Sequence, residues 1–223
     1  MNENLSSRRT IRSFVRRSGR LTPAQNKAMT TLLPKYGLDY RETPMDLNAV
    51  FDRRAPHIME IGFGNGELLA EMAEARPEAD FIGIEVHEPG IGRCLIELEH
   101  RELTNVRVIC HDAVEVLQNS IPDGSMDGVY LFFPDPWPKK RHHKRRIVQT
   151  DFIALLARKI GAGGFFRAAT DWAEYAEHIE TTIADNDSFE AAEIAPEDRR
   201  QTKFEQRGKR LGHALWERAY RRV

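Results

Sequence analysis

An aspartate that is framed by prolines and followed by a run of cations is the group of residues in this sequence best suited to chemistry. Asp135 lies between Pro134 and Pro136, directly after the apolar run Val129–Phe133. Because proline fixes φ and removes a backbone donor, this order predicts a stiff loop at the end of a buried strand. A carboxylate there can accept hydrogen bonds from the N–H groups of a nucleobase, Trp137 offers a flat face, and the cations beyond it can hold phosphates. Taken alone, the segment also fits a rigid turn before a solvated basic surface.

Three alternating glycines form a second group. Gly62, Gly64 and Gly66 follow the mostly apolar run Ile58–Ile61 and precede a segment with helical spacing. In such an arrangement the backbone passes close to a ligand. The dinucleotide-binding fingerprint would place its third glycine at Glu67, where an anion would repel a pyrophosphate. The sequence therefore disfavours NAD.

Acidic residues recur at the ends of three successive predicted strands. Glu60 precedes the glycines, Glu85 ends the next apolar run, and Asp112 follows the one after it. Parallel strands bring their carboxyl ends to one edge of a sheet, so we expect these carboxylates to line one crevice. Glu85 suits ribose hydroxyls and Asp112 suits an adenine amine. Any one of them alone could be an exposed acid at a strand end, but their periodicity after the glycines favours a cofactor site.

The elements that must hold these residues alternate between strand and helix from residue 55 onward. This order predicts an α/β fold, a Rossmann-like, doubly wound, mostly parallel sheet with helices on both faces. Beyond the aspartate loop, the predicted elements are a helix over Ile147–Ile160 stopped by Gly161–Gly164, a strand over Phe165–Ala169, a helix over Trp172–Ala184, and antiparallel strands over 189–194 and 213–220.

Charge is distributed unevenly along the chain. The 223 residues carry a formal net charge of −1, yet basic residues cluster near the N-terminus and after Trp137. Such clusters are typical of contact with nucleic acid. The length fits one domain with a short extension, so we expect a basic, flexible N-terminal arm over residues 1–30 and one domain over residues 31–223.

Several classes of protein are disfavoured by composition. Cys94 and Cys110 show neither metal-ligand spacing nor a disulfide framework. The first residues lack the apolar core of a signal peptide, and no apolar run reaches membrane-spanning length. His142 and His143, adjacent in a cationic segment, indicate a nucleic-acid or solvent face rather than a metal site. We therefore expect a cytoplasmic protein with no metal and no membrane attachment, and the sequence indicates no obligatory protein partner.

Taken together, these motifs resemble the bacterial tRNA (guanine-N7-)-methyltransferases, which are class I S-adenosylmethionine-dependent enzymes. The resemblance covers nearly all of the chain from Arg8 onward. The glycine motif is similar to motif I of such enzymes, whose cofactor carries a sulfonium and no phosphate. Pro134–Arg146 matches the hallmark loop of the family, and Thr202–Glu205 matches its C-terminal substrate motif. The resemblance implies S-adenosylmethionine as cofactor, tRNA as substrate, and methyl transfer to N7 of the variable-loop guanosine at position forty-six.

The resemblance also implies roles for individual residues. It assigns Asp135 to the active site, beside both ligands. The implied cofactor residues are Glu60, Gly62, Gly64, Gly66, Glu85, Asp112, Ala113 and Asp135. The implied substrate residues are Lys139, Asp171, Thr202, Lys203, Phe204 and Glu205, and the implied RNA-contacting run is Arg141, His142, His143, Lys144, Arg145 and Arg146. Asp171 could also cap the helix that follows it, and Thr202–Glu205 could be a charged surface turn.

The implied chemistry is compatible with these residues. Guanine N7 carries an in-plane lone pair and no proton, so its attack on a methyl group needs no general base, and orientation and electrostatics must supply the catalysis. Asp135 would hold the guanine N1–H and exocyclic amine. Two alternatives stay open. One is methyl transfer to an exocyclic amine of DNA or to a protein, since Asp135-Pro136-Trp137 is also similar to the loop of amino-methylating enzymes. The other is an RNA-binding module without activity, which the intact cofactor residues disfavour.

Overall fold

The structure, a computed structural model, describes residues 12–14, 19–193 and 214–223. The strands of this part are β1 (His57–Ile61), β2 (Asp80–Glu85), β3 (Val106–Cys110), β4 (Met126–Phe132), β5 (Ile160–Thr170), β6 (Phe189–Ala192) and β7 (Trp216–Arg222). They form one sheet in the order β3-β2-β1-β4-β5-β7-β6. β1 to β5 are parallel, and β7 is antiparallel to both of its neighbours. The predicted mostly parallel sheet is confirmed, as are the two antiparallel strands at its end.

Helices cover both faces of this sheet. They are α1 (Pro23–Thr31), α2 (Leu33–Tyr36), α3 (Leu47–Phe51), α4 (Glu67–Ala75), α5 (Glu88–His100), α6 (Ala113–Asn119), α7 (Thr150–Lys159) and α8 (Ala173–Ala184), with a 3-10 helix over Lys140–Arg145. One apolar cluster includes residues of α1, α4 and α5, and the other includes residues of α6, α7 and α8. Tyr130 of β4 belongs to the first cluster and its neighbour Leu131 to the second, because successive side chains of a strand point to opposite faces. No described helix is long and apolar enough to span a bilayer.

The chain order of the strands reverses at β1, and this reversal positions the site. β1 pairs in parallel with β2 on one side and with β4 on the other. In an open α/β sheet, ligands bind in the crevice beyond the carboxyl ends of the strands at such a reversal. The loop that begins at Gly62 follows β1, and the loop that holds Asp135 follows β4. The two groups of residues singled out in the sequence therefore lie at the same end of adjacent strands.

Residues 23–30 of the predicted N-terminal arm are part of the folded domain. They lie in α1, which begins with a capping box: Thr22 Oγ1 accepts from Gln25 N at 3.3 Å, and Thr22 N donates to Gln25 Oε1 at 2.8 Å. Ala28 is buried, and Gln25 Nε2 donates to Pro89 O at 2.9 Å. These contacts fix α1 against α5, so the folded domain begins before the predicted boundary.

Gly161–Gly164 lies inside a strand, although the sequence predicted a turn that ends a helix. α7 ends at Lys159, and β5 begins at once with Ile160. The pairing of β5 with β4 is irregular across this segment, and Gly163 has a φ of 82°. Glycine is common both after helices and in strand irregularities, and here it serves the second purpose.

Candidate active site

A cavity of about 440 Å³ lies at the carboxyl ends of the central strands. Its lining includes Gly62 after β1, Glu85 at the end of β2, Ala113 after β3 and Asp135 after β4. Phe14, from the described segment 12–14, also lines it. Sites for small molecules and cofactors have volumes of about 300–1,000 Å³, so this cavity is large enough for a nucleoside cofactor.

The glycine loop leaves space for a ligand. Gly62 and Gly64 have φ values of 74° and 59°, and a Cβ atom at either position would meet no atom within 4 Å. At Gly66 the φ is 73°, and a Cβ atom would lie 2.3 Å from Cys94 Sγ of α5. The first two glycines therefore give the backbone its left-handed path and an open surface, whereas the third lets α4 pack closely on α5. Such an open backbone cradle fits the S-adenosylmethionine that the sequence predicted.

The Glu85 carboxylate is held in place by three backbone N–H groups. Its Oε2 accepts from Gly64 N at 2.9 Å, and its Oε1 accepts from Val86 N at 2.6 Å and His87 N at 3.0 Å. Each carboxylate oxygen can accept about two hydrogen bonds, so Oε2 has capacity for a further donor. An oriented anion at the cavity wall is suited to ribose hydroxyls, as predicted from the sequence.

The other two predicted acids lie at the ends of neighbouring strands but outside the lining of the cavity. Glu60 is 4% exposed. Burial of the Cys94 thiol raises its pKa, and the nearby charge of Glu60 raises this pKa further. Asp112 caps α6, because its Oδ1 accepts from Val114 N at 2.9 Å. The structure thus brings Glu85 and Ala113 to the cavity, while contact of Glu60 and Asp112 with a cofactor stays a prediction.

The loop that carries Asp135 is strained on both sides. Phe133 has a φ of 51° and Trp137 a φ of 48°, in a region that large side chains rarely adopt. Phe133 N donates to Ala169 O of β5 at 2.8 Å, which fixes the start of the loop. Positive φ values of this kind cluster at functional sites and persist only where surrounding contacts hold them. The exposed Asp135 carboxylate is therefore presented at the cavity from a constrained backbone.

Arg146 supplies one of these contacts from inside the fold. Its side chain is 2% exposed. Its Nε donates to Pro136 O at 2.9 Å, and its Nη2 donates to Glu174 Oε1 at 3.4 Å. The guanidinium also lies 4.9 Å from the ring centroid of Tyr175, whose pKa is raised by burial. The sequence predicted Arg146 as an RNA contact, but the structure buries it and engages it with the aspartate loop and α8.

Arg145 and Trp137 together hold the segment 12–14. Trp137 Nε1 donates to Ser13 O at 3.0 Å, and Arg145 lies over the Trp137 ring at 4.0 Å from its centroid. Arg145 Nη2 donates to Phe14 O at 3.1 Å. No local signal in the sequence indicates this contact, since it joins residues more than a hundred positions apart.

The remaining cations of the predicted RNA-contacting run are accessible. Arg141 and Lys144 are exposed, as is Lys139 before the 3-10 helix, whereas His142 and His143 are half-buried. Desolvation lowers the pKa of His142, and Arg141 and Arg145 lower it further. The positive charge available to phosphates therefore comes mainly from lysine and arginine.

Of the remaining predicted substrate residues, the structure describes Asp171 but not the motif Thr202–Glu205. Asp171 is half-buried and directly follows β5, beside the aspartate loop. It does not cap α8: Trp172 is the N-cap residue, and no side chain makes the capping hydrogen bond. The predicted motif Thr202–Glu205 lies outside the described residues.

The doubly wound sheet, the open glycine loop and the fixed acid at the end of β2 define a class I S-adenosylmethionine-dependent methyltransferase. Solved structures share this fold: the 16S rRNA methyltransferase KamB aligns with a TM-score of 0.59 at 12% identity, over 82% of this chain and 96% of that chain. TrmN from Thermus thermophilus aligns with a TM-score of 0.56 at 15% identity, over 79% of this chain and 47% of that chain.

Sequence relatives narrow the class to one family. The Methyltransf_4 family, described as a methyltransferase family, matches residues 54–218. A "tRNA (guanine-N(7)-)-methyltransferase" of Nitrosococcus oceani is 53% identical over 96% of this chain and 92% of its own length. The protein of the same name from Aeromonas hydrophila is 51% identical over 100% of this chain and 96% of its own length. The chain belongs to the tRNA (guanine-N(7)-)-methyltransferase family, which confirms the resemblance found in the sequence.

Proposed function

We propose that this protein transfers a methyl group from S-adenosylmethionine to N7 of a guanosine in tRNA, with N7-methylguanosine and S-adenosylhomocysteine as products. The observation that carries the proposal is the position of Asp135: a constrained carboxylate at the wall of the cofactor-sized cavity, followed by exposed cations. Within this proposal, the target is the variable-loop guanosine at position forty-six.

The residues of this chain would bind and orient the two ligands. S-adenosylmethionine, when bound, supplies an electrophilic methyl group on a sulfonium. Glu85 would accept hydrogen bonds from the ribose hydroxyls, and the glycine loop would allow the close approach of the ligand to the backbone. Asp112 would accept from the adenine amine through the oxygen that does not cap α6.

Asp135 would orient the guanine. Its two oxygens would accept from the guanine N1–H and the exocyclic amine, which leaves N7 directed at the methyl group. With the N7 lone pair facing the methyl group that the sulfonium would supply, the Asp135 carboxylate would stabilise the positive charge that the purine ring gains on methylation. No proton leaves N7 in this step, so no general base is required. Orientation at close range can contribute about 7–11 kcal/mol to such a reaction.

Phosphates of the tRNA would be held by the exposed cations. Lys139, Arg141 and Lys144 are placed beside the aspartate loop, and contacts to phosphate position a nucleic acid without reading its sequence. Asp171 would share the orientation of the base, as the family resemblance implies. Thr202–Glu205 completes the proposed substrate site by resemblance alone.

The direct test is nucleoside analysis of tRNA after incubation with the protein and S-adenosylmethionine. The proposal requires N7-methylguanosine, whose base is released readily on mild treatment. An N6-methyladenine or N4-methylcytosine product would favour an amino-methylating enzyme instead. No product, together with no binding of S-adenosylmethionine by calorimetry, would favour an RNA-binding module without activity.

A further inference from the structure

Trp172 is an exposed aromatic residue at the proposed active site. Among the described residues, only Trp172 and Val223 are large apolar side chains with high exposure, at 36% and 52%. Trp172 directly follows Asp171, at the carboxyl end of β5. Tryptophan combines a large apolar ring with a polar N–H, and it is enriched at interfaces where one part of the ring is buried and another contacts a partner.

The sheet register places Trp172 beside the aspartate loop. Phe132 of β4 pairs with Ala169 of β5, and the two strands are parallel. Asp135 and Trp172 each lie three positions beyond their member of this pair, so both leave the sheet at the same edge. Phe133 N donates to Ala169 O at 2.8 Å, which keeps the two strand ends together.

The backbone beneath the indole is fixed. Trp172 N donates to Thr170 Oγ1 at 3.2 Å, and Trp172 O accepts from Tyr175 N at 3.0 Å and from Ala176 N at 2.9 Å. The residue is thus the N-cap of α8, and its backbone is anchored by hydrogen bonds on both sides. An aromatic ring on such a base can stack with little loss of conformational entropy.

The other two tryptophans of the chain are engaged within the protein. Trp137 Nε1 donates to Ser13 O at 3.0 Å, and Trp216 Nε1 donates to Glu180 Oε1 at 2.7 Å. Among the described residues, by contrast, the indole of Trp172 has no hydrogen-bond partner and no ring contact, and 36% of the residue is exposed.

The charge around Trp172 favours a nucleobase as its partner. Exposed cations suited to phosphates follow the adjacent aspartate loop. In A-form RNA, guanine N7 faces a deep, narrow groove, so the target nucleotide must leave its stack before a methyl group can reach it. Bases displaced in this way are commonly held against aromatic side chains.

Resting on the proposed function, we propose that Trp172 stacks on the nucleobase next to the target guanine and stabilises the unstacked RNA. Asp135 is assigned to the target guanine and Trp172 lies outside the lining of the cavity, so we assign the ring to the neighbouring nucleotide. The ring provides a contact that tolerates any base, because every base has a π-face.

The test compares Trp172→Ala and Trp172→Phe with Val223→Ala as an exposed apolar control. Dissociation constants for tRNA and for S-adenosylhomocysteine are measured at several salt concentrations, together with sedimentation of the RNA-free protein. We expect Trp172→Ala to raise the tRNA constant about tenfold, with the slope against salt unchanged because no phosphate contact is lost. Trp172→Phe keeps a stacking ring and should stay within about threefold of wild type, and Val223→Ala should match wild type.

Three results would overturn the stacking role. They are an unchanged tRNA constant in Trp172→Ala, an equal loss in Trp172→Phe, and a loss that follows a change in the oligomeric state of the RNA-free protein, which would make Trp172 a protein interface. The proposed function fails separately: in that case wild type itself forms no N7-methylguanosine. If wild type does form it and Trp172→Ala binds tRNA normally, only the stacking proposal is wrong.

Discussion

Replacing Arg146 by methionine tests whether this residue holds the aspartate loop or binds RNA. The substitution keeps an unbranched side chain in a site where Arg146 is 2% exposed and removes its hydrogen bond to Pro136 O. A hydrogen bond to a charged group contributes about 1.5–3 kcal/mol, and a desolvated cation–π contact such as that with Tyr175 contributes about 2 kcal/mol. Part of this loss is offset because methionine has no charge to bury. We therefore expect the free energy of unfolding to fall by about 1–3 kcal/mol.

Turnover should fall as well, because Arg146 helps to hold the strained loop. The positive φ values at Phe133 and Trp137 correspond to about 1–3 kcal/mol of strain each. Without the hydrogen bond to Pro136 O, the loop can relax and displace Asp135, and a displacement of about 1 Å can reduce a rate about 100-fold. We expect kcat to fall about 10- to 100-fold, with the dissociation constant for S-adenosylhomocysteine within about threefold of wild type. Arg146→Lys should not restore kcat, because an ammonium lacks the planar fork that bonds Pro136 and stacks on Tyr175.

Arg141→Met is the matched control, since Arg141 is an exposed cation of the same run. For Arg141→Met we expect an unchanged free energy of unfolding in urea. The slope of log affinity for tRNA against log salt should be flatter by up to about one unit. If Arg146→Met instead gave a flatter salt slope, an unchanged free energy of unfolding and an unchanged kcat, Arg146 would not hold the loop. Arg146 would then contact phosphate, as the sequence predicted.

Two further predictions concern the Glu85 carboxylate and the packing of Gly66 against α5. Glu85→Ala should weaken S-adenosylhomocysteine binding at least about tenfold by calorimetry, since ribose hydroxyls lose a charged acceptor. The control is Glu88→Ala, a change at an exposed glutamate. Unchanged affinity in Glu85→Ala would place ribose recognition elsewhere. Gly66→Ala should destabilise the fold by about 2–4 kcal/mol in urea unfolding, because its Cβ would lie 2.3 Å from Cys94 Sγ at a φ of 73°. Gly124 has a φ of 67° and no atom within 4 Å of an added Cβ, so Gly124→Ala introduces backbone strain without a steric clash and should cost about 1 kcal/mol. Equal losses in the two variants would contradict the packing role of Gly66.

The sheet and the cavity follow from local patterns in the sequence. Apolar runs that end in Glu60, Glu85 and the residues before Asp112 predicted parallel strands, and the glycines after Ile61 predicted the turn at which a ligand binds. These signals are local: the spacing of apolar residues indicates each strand and helix, and their order along the chain indicates which strand ends share an edge of the sheet. The positions of Gly62, Glu85 and Asp135 around one cavity could therefore be anticipated.

Contacts between distant segments could not be anticipated in this way. Nothing in the cationic run distinguishes the buried Arg146 from the exposed Arg141, because the difference comes from Tyr175 and Glu174 on a helix that packs against the loop. For the same reason, α1 was expected within a flexible arm, since its contact with α5 depends on Gln25 reaching Pro89.

The role of Asp135 is tested by the single-turnover rate of N7-methylguanosine formation by Asp135→Asn at saturating cofactor and tRNA. Asparagine replaces one carboxylate oxygen by an N–H donor, so one contact with the guanine N–H groups becomes repulsive. The loss should reach about 3 kcal/mol or more, which is a rate at least about 100-fold lower. Asp151→Asn, a change at an exposed aspartate of α7, is the control and should react at the wild-type rate. We expect this loss in a variant whose free energy of unfolding equals that of wild type. An Asp135→Asn rate within about threefold of wild type would show that Asp135 does not orient the guanine.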